Sequence, residues 1–312
     1  MALTINTNLS SMIVQKNLQK STNQLNNAIE RMTTGYKINH AADNAAGYSI
    51  ARNWEARLGS LDVAADNAAT GADMLATLED NYALISSHVQ RVRDLTEQAA
   101  NGTYGDQSKK AIQSEIEARL QEINRIAANC EFNGIDMMAG TGTAASAGLD
   151  IQVGIEGTAS KSRIHLEADL FASGKVATLF TVPAEGTTAA YAPPTGTGDD
   201  PEADQLKKVA ADCAGMREGG PGSAAMLDQI DKVINKISSR ITTLGAARNR
   251  IDSAIESISV QAENITSSLS TLRDADVATE SSNYIQAQIL QQASATLLAT
   301  ANQTPSIALN LL

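Results

Sequence analysis

The sequence predicts a mainly α-helical protein, in which long antiparallel helices form a coiled-coil bundle next to a small β-hairpin region. Two long heptad stripes and an unusual composition lead to this prediction. Hydrophobic residues make up 43% of the 312 residues, whereas aromatic residues make up only 3%. Small aliphatic side chains suit helix seams better than they suit a thick globular core.

The longest apolar stripe lies in the C-terminal third. Alternating steps of four and three residues visit Ile230, Ile234, Ile237, Ile241, Leu244, Arg248, Ile251, Ile255, Ile258, Ala262, Ile265, Leu269 and Leu272. Only Arg248 and Ala262 are not large aliphatic residues. A heptad pattern held for about six heptads predicts one helix of about 65 Å.

A second stripe indicates another long helix in the first third of the chain. It visits Trp54, Leu58, Leu61, Ala65, Ala68, Ala72 and Leu75, then slips in phase and continues through Leu78, Tyr82, Ile85, Val89 and Val92. Such a slip changes the local winding without ending a helix. A shorter helix is predicted from Ile112, Ile116, Leu120 and Ile123. Three helices with apolar seams predict a lateral bundle.

Both chain ends carry similar stripes. They consist of Leu18, Leu25, Ile29 and Met32 at the front and of Ile285, Ile289, Leu297 and Leu298 at the back. No neighbouring segment offers a surface to cover them. We therefore expect the two terminal helices to cover each other and the ends of other copies, and to be largely unfolded without those partners.

The middle of the chain, from Gly140 to Gly222, has a different composition, rich in Gly, Pro, Ser and Thr. The segments IQVGIEG and SRIHLE alternate apolar and polar residues around a glycine turn, which predicts a β-hairpin. A further short strand is expected over Val176–Val182 and a short helix over Ala203–Ala214. We expect this middle region to be small and exposed.

Net charge and hydropathy exclude several classes of protein. The formal net charge of −11 would repel nucleic acid. No run approaches the roughly 18 apolar residues of a membrane span, and the first twenty residues lack a classical signal peptide. Composition alone therefore favours a cytosolic protein without nucleic-acid or membrane partners.

No motif for catalysis, cofactor binding or metal binding stands out. His40, His88 and His165 do not form an HExxH pair, and neither a GxSxG nor a GxxxxGK[ST] motif occurs. Carboxylates near Arg273 are more simply explained as a charged helix face than as an acid and base pair. Cys130 and Cys213 are expected to be unpaired thiols, with a single bridge between them as the open alternative. The sequence thus predicts no enzyme, no cofactor and no metal.

Several segments resemble the bacterial flagellins. The similar stretches are INTNLSSM, NQLNNAIERMTTGYKINHAADNAAGYSIA, HVQRVRDLTEQAANGTYG, IQSEIEARLQEINRIA, EFNGIDMM, IQVGIEG and LRDADVATESSNYIQAQILQQASATLLATANQTPSIALNLL. They cover roughly residues 1–140 and 225–312. The resemblance implies a structural subunit that polymerises into the flagellar filament for swimming motility.

The family resemblance also implies a domain organisation. Residues 1–45 and 271–312 would be inner-core helices that pair in the filament. Residues 46–140 and 225–270 would form the two halves of a helical outer-core domain. Residues 141–224 would hold the hairpin and a short variable surface region.

The resemblance further implies an export route, a location and a set of protein partners. Flagellins are exported unfolded by the flagellar type III apparatus without a cleaved signal peptide, so an extracellular location replaces the cytosolic one. The implied partners are other copies of the chain, the export apparatus, an export chaperone, the filament cap and the hook-junction proteins. Folding would be coupled to polymerisation.

Two sets of site residues follow from the resemblance. Filament assembly is assigned to Leu3, Ile5, Leu9, Arg31, Asn39, Asp43, Arg273, Asp276, Ile285, Ile289, Leu297, Leu311 and Leu312. Recognition by vertebrate Toll-like receptor 5, together with subunit contact, is assigned to Gln90, Arg91, Leu95, Gln98 and Glu115. We expect Leu95 to be exposed, since an exposed leucine beside an arginine suits a binding surface. The same residues could instead merely pack adjacent subunits.

Two other structural roles stay open at this stage. A hook-filament junction protein shares such chain ends but caps the polymer instead of propagating it. An intracellular coiled-coil scaffold would explain the heptads but does not need the terminal motifs. An enzyme is the weakest alternative, because no convergent pocket motif occurs.

Overall fold

The computed structural model describes residues 8–140, 143–158, 162–180, 201–216 and 222–310. The helices are α1 (Leu9–Thr34), α2 (Ala45–Ala100), α3 (Asp106–Asn129), α4 (Thr143–Ala147), α5 (Val176–Leu179), α6 (Pro201–Cys213), α7 (Gly222–Arg273) and α8 (Val277–Asn310). The strands are β1 (Glu131–Phe132), β2 (Ile135–Asp136), β3 (Leu149–Gln152) and β4 (Arg163–Leu166). The fold is thus mainly helical, with two small antiparallel strand pairs.

The chain divides into two compact units. One consists of Met1–Ser60 and Gln261–Leu312, and the other consists of Leu61–Val260. We call them the terminal unit and the central unit. In the part of the chain that the structure describes, no helix is both long and apolar enough to cross a membrane.

The core of the central unit follows the heptad stripes. On α7, the positions Ile230, Ile237, Leu244 and Ile251 lie seven residues apart and are at most 1% exposed. α2 continues unbroken through the phase slip, and Leu78, Tyr82, Ile85, Val89 and Val92 are fully buried on it. α3 adds Ile116, Leu120 and Ile123. The predicted lateral bundle is confirmed for these positions, because they belong to one hydrophobic cluster within the unit.

The predicted hairpin is the pair β3 and β4, which runs antiparallel with Ile151 opposite Ile164. Ile151, Ile164 and Leu166 are buried, while Asp150 and His165 on the other face are exposed. A Cβ atom on Gly71 of α2 would lie only 2.6 Å from Cδ1 of Ile151. Glycine therefore allows the hairpin to lie directly on the helix.

The short strand predicted over Val176–Val182 is wrong. The chain forms the single helical turn α5 over Val176–Leu179, while residues 181 and 182 lie outside the described residues. The side chain of Asn124 on α3 accepts a hydrogen bond from the backbone N–H of Val176 at 2.8 Å. Val176 and Leu179 lie three residues apart and are both buried, so a helical turn directs both side chains into the core.

The expectation of an exposed middle region is also wrong for the described residues. α6 forms where a helix was predicted over Ala203–Ala214, and it packs against α3. Phe171 and Phe180 are at most 2% exposed, and Leu206, Val209 and Cys213 of α6 are also buried. These side chains belong to the same hydrophobic cluster as α2, α3 and α7. The middle region therefore completes the core.

Cys130 and Cys213 are free and buried, as expected for unpaired thiols. Burial raises the pKa of Cys130 to about 11 and that of Cys213 to about 12. Since the thiolate is the nucleophile, neither thiol should react with a disulfide reagent at pH 8 in the folded protein. Both should react after denaturation, and rapid labelling of the native protein would contradict this prediction.

Candidate assembly surfaces

The terminal unit is built on the antiparallel pair of α1 and α8. Nδ2 of Asn8 donates to the carbonyl oxygen of Ala301 at 2.7 Å. At the other end of the pair, Nη1 of Arg31 lies 3.3 Å from Oε1 of Glu280. Residues near the start of α1 thus meet residues near the end of α8. The prediction that the two terminal helices pair is confirmed within one chain.

The seam between α1 and α8 is lined by small and polar residues. Its buried positions are Ser21, Ala28, Glu280, Ala287 and Ser294. Those of each helix lie seven residues apart, which is the coiled-coil spacing. These small and polar side chains bury little apolar surface. The pairing therefore gains little from the hydrophobic effect, which scales with apolar area removed from water.

Large apolar side chains of the pair point to solvent instead. The exposed ones are Leu9, Met12, Ile13, Ile29, Met32, Val277, Ile285, Ile289, Leu290 and Leu297. Ile289 is 60% exposed, whereas the predicted seam residues Leu18, Leu25 and Leu298 are half-buried. Within one chain the stripes therefore cover each other only in part. Exposed apolar residues grouped on two paired helices mark an interaction surface.

Arg273 organises the segment that follows α1. Gly35 ends α1 in the left-handed conformation with φ 75°. The backbone N–H of Lys37 then donates to the carbonyl oxygen of Arg273 at 2.7 Å. The guanidinium of Arg273 pairs with the carboxylate of Glu55 and lies 3.9 Å from the centre of the Tyr36 ring. One side chain thereby connects the ends of α1 and α7 to α2.

Asn39 and Asp43 order the next few residues. Oδ2 of Asp43 accepts hydrogen bonds from the backbone N–H groups of His40 at 3.0 Å and of Asn39 at 3.1 Å. These bonds, chiefly the one from His40, hold the pKa of Asp43 below its usual value. Nε2 of His40 lies 2.8 Å from Oε1 of Glu30. Asn39 and Asp43 thus shape the loop between α1 and α2, and their role between subunits stays a prediction.

Asp276 caps the start of α8. Its carboxylate accepts hydrogen bonds from the Thr279 hydroxyl at 2.7 Å and from the Ala278 backbone N–H at 3.0 Å. These bonds, chiefly the one from Thr279, lower the pKa of Asp276 from 3.8. A lowered folded-state pKa contributes stability that is present above 3.8 and is lost as the pH falls through the folded value.

Asp276→Ala should therefore speed amide exchange in the first turn of α8 at neutral pH. The wild-type protein should lose protection in the same turn as the pH falls below 3.8. Asp276→Asn keeps an acceptor and serves as the control, because it should retain most of the protection at neutral pH. Equal exchange in all three proteins would contradict a capping role.

Four of the five predicted receptor residues lie at the surface of the central unit. Gln90, Arg91 and Gln98 are exposed on α2, and Glu115 is half-exposed on α3. Nε and Nη2 of Arg91 lie 3.0 and 2.9 Å from Oε1 of Glu115. Two helices therefore hold this pair in a fixed geometry.

Leu95 corrects the expectation of an exposed leucine. It is 2% exposed and belongs to the hydrophobic core. Leu95 lies three residues after Val92 and four before Ala99, both of which are fully buried. This spacing places Leu95 on the core face of α2. Its side chain is therefore not available to a partner in the folded unit.

Four assembly residues taken from the resemblance cannot be placed. Leu3, Ile5, Leu311 and Leu312 lie outside the described residues. The others divide into two groups. Leu9, Ile285, Ile289 and Leu297 are exposed apolar residues on the α1 and α8 pair, whereas Arg31, Asn39, Asp43, Arg273 and Asp276 make the hydrogen bonds and ion pairs described above.

Arg240 is a residue that the sequence reasoning missed. It is 2% exposed and occupies a core-facing position of α7, seven residues after Val233 and seven before Ala247. Its Nη1 donates to the Tyr82 hydroxyl at 3.2 Å and to the carbonyl oxygen of Ala172 at 3.4 Å. Val233, Arg240 and Ala247 form a second heptad line on α7 that can be read in the sequence. A single cation among the apolar residues of such a line indicates a buried polar contact.

This arrangement is typical of a class of helical proteins whose helices pack side by side against those of other molecules. The terminal helices pair through a seam of small residues and leave their large apolar residues uncovered. Among the described residues, no group of three His, Cys, Asp or Glu side chains is arranged to hold a metal ion.

Comparison with known proteins identifies the family. Residues 5–143 match the model of the bacterial flagellin N-terminal helical region, and residues 227–312 match that of the C-terminal helical region. A flagellin of Xenorhabdus nematophila is 36% identical over the full length of both chains. A flagellin of Bacillus subtilis is 33% identical and covers 99% of each chain. The chain therefore belongs to the bacterial flagellin family.

A solved structure shows the same fold. A chain from Vibrio parahaemolyticus assigned as a flagellar hook-associated protein has a TM-score of 0.54 and 15% identity. The match covers 74% of the present chain and 100% of that chain. At this identity the likeness establishes the fold alone. Family membership makes the chain a structural protein of the flagellar filament.

Proposed function

We propose that this chain polymerises into the flagellar filament through the exposed apolar residues of α1 and α8. The observation that carries the proposal is that the helix pair buries the small residues Ala28 and Ala287 but exposes the large apolar residues Ile285 and Ile289. In a filament, equivalent residues of neighbouring copies would cover one another. Swimming motility follows from a long filament of this kind.

Folding of the chain ends is completed by assembly in this proposal. The seam of the pair is thin, so a single copy gains little free energy to offset the entropy of ordering two helices. Contacts between copies bury the outer apolar residues as well and contribute the remaining free energy needed to order the helices. Amide protection across α1 and α8 should therefore be lower in the monomer than in the filament.

Seeded elongation tests the proposal directly. Purified monomer is added to filament fragments, and growth is followed by electron microscopy. Wild-type monomer should form long tubes, and Ile289→Asp should not, because it places a charge in a contact that must become dry. Gln292→Asp is the matched control, since it adds the same charge to an exposed polar position of α8.

The outcomes separate the remaining structural roles. A junction protein would bind to fragment ends without extending them. A scaffold would leave the fragments unchanged. Normal growth of the Ile289→Asp variant would remove the exposed apolar residues from the mechanism, even if the wild type elongates.

We also propose export through the flagellar type III apparatus, with an export chaperone, the filament cap and the hook-junction proteins as partners. Family membership and the resemblance of both chain ends support this route. A weakly paired terminal unit would unfold readily before passage through a narrow channel. The chain should appear in the medium only when the export apparatus is intact, and secretion without it would contradict the route.

Recognition by Toll-like receptor 5 is proposed for the exposed residues Gln90, Arg91, Gln98 and Glu115. The two hydrogen bonds that Arg91 donates to one carboxylate oxygen of Glu115 support it, because an oriented arginine is a typical hot spot of a binding surface. Arg91→Ala should reduce reporter signalling by purified monomer. Arg125→Ala is the control, because Arg125 forms a similar exposed pair with Glu122 at 2.6 Å. Equal signalling by both variants would remove this surface from the proposal.

A further inference from the structure

A shallow groove lies on the central unit between the β3 and β4 hairpin and α7. Apolar side chains of Val153, Ile164 and Ala254 line it, together with Asn249 and Ser253. Two arginines, Arg163 and Arg250, also line it. Arg163 already has partners, since its Nε lies 3.1 Å from Oε1 of Gln152 and its Nη1 lies 3.7 Å from the Asp150 carboxylate. Within the described residues, Arg250 forms no ion pair.

An acidic surface with the complementary composition lies on α2. Asp62, Asp66 and Asp73 are exposed there, and none forms an ion pair with another described residue. Val63, which is 59% exposed, lies among them. This surface combines one apolar side chain with three carboxylates. The groove combines apolar side chains with Arg250, which has no ionic partner in the part of the chain that the structure describes.

The two surfaces face away from each other within the central unit. Arg93 of α2 contacts Asp231 of α7 at 2.7 Å, so it marks the side of α2 that faces α7. Asp73 lies twenty residues before Arg93, about 200° around the helix at 3.6 residues per turn. On α7, Arg248 lies 3.6 Å from Glu79 of α2, and Arg250 lies about 200° further round. One chain therefore cannot bring the groove and the acidic surface together.

Complementary surfaces on opposite sides of one subunit favour contact between copies. A contact of this kind joins different patches on the two partners, and it produces an open helical polymer when rotation does not close a ring. We propose that the Arg163 and Arg250 groove receives the acidic α2 surface, around Val63 and Asp66, of a second copy of this chain. The inference rests on the proposed polymerisation and names one of its lateral contacts, in a unit distinct from the terminal helices.

Charge reversal tests this contact in the same elongation assay. Arg250→Glu and Asp66→Lys should each slow elongation about tenfold at low salt, since like charges then face each other. The double variant carrying both changes should recover most of the wild-type rate, because opposite charges meet again. Lys110→Glu is the control, as it makes the same charge change at an exposed position of α3 and should elongate normally. Circular dichroism and thermal unfolding confirm that each variant folds.

Each result has a defined meaning. Wild-type rates for both single variants would overturn the inference and leave polymerisation intact. A double variant slower than either single variant would also overturn it, because the two positions would then not meet. A change in receptor signalling alone for Arg250→Glu, with normal elongation, would assign the groove to another partner and overturn the contact between copies. Failure of the wild type to elongate would instead overturn the proposed polymerisation itself.

Discussion

Replacing Phe171 by alanine should lower the free energy of unfolding of the central unit by about 3 to 5 kcal/mol. Phe171 is fully buried in the hydrophobic cluster that includes α2, α3 and α7. The truncation removes a whole ring from a packed site and leaves a cavity. Stabilities of single domains are about 5 to 15 kcal/mol, so the variant should be marginal or unfolded. Urea denaturation followed by circular dichroism measures the change.

Phe132→Ala is the matched control for this experiment. Phe132 is only half-buried and packs at the edge of the same cluster. Its truncation should cost clearly less than that of Phe171. If both variants unfold at the same urea concentration as the wild type, the middle region is a covering loop and is not part of the core.

Arg240→Ala should destabilise the central unit by about 2 kcal/mol, through lost hydrogen bonds and a cavity rather than through the contact with Asp169, whose carboxylate is exposed. The side chain is 2% exposed, and its guanidinium lies 3.6 Å from the carboxylate of Asp169, 3.4 Å from the Ala172 carbonyl oxygen and 3.2 Å from the Tyr82 hydroxyl. Alanine removes these contacts and leaves a cavity between α2, α7 and residues 169–172. The Tyr82 hydroxyl keeps its hydrogen bond to the Leu170 carbonyl oxygen at 3.1 Å.

Two variants decide how Arg240 acts. Arg240→Met retains most of the volume and should cost less than Arg240→Ala, since an apolar side chain of similar size fills most of the cavity. Arg248→Ala removes an exposed pair with Glu79 and should change stability by at most about 0.5 kcal/mol. Equal losses at positions 240 and 248 would show that burial of the cation is unimportant.

The sequence predicted the long helices well, because each carries a repeating physical signal. The heptads around Ile237 and Leu244 are read directly as the buried face of α7, and the slip near Leu75 does not interrupt α2. The pairing of α1 with α8 also followed from stripes without other partners. Such long periodic segments leave few alternatives for the chain.

The sequence predicted the middle region less well, because its contacts are specified by distant residues. α5 forms where Asn124 on α3 accepts from its first backbone N–H, and no local pattern announces that bond. Leu95 was expected to be exposed from a family resemblance, although the neighbouring buried positions Val92 and Ala99 indicate the opposite. Periodicity was the better guide at this position.

The seam between α1 and α8 has a consequence for how the two ends tolerate substitution. In most domains inward positions demand bulk and outward positions accept almost any polar residue. Here the small residues Ala28 and Ala287 face inward, while the large apolar residues Ile285 and Ile289 face outward. Selection for filament growth should therefore reverse the usual pattern of tolerated substitutions. It should preserve small residues at the inward positions and hydrophobic residues at the outward positions. A saturation scan of α8 would display that inversion with a period of seven residues.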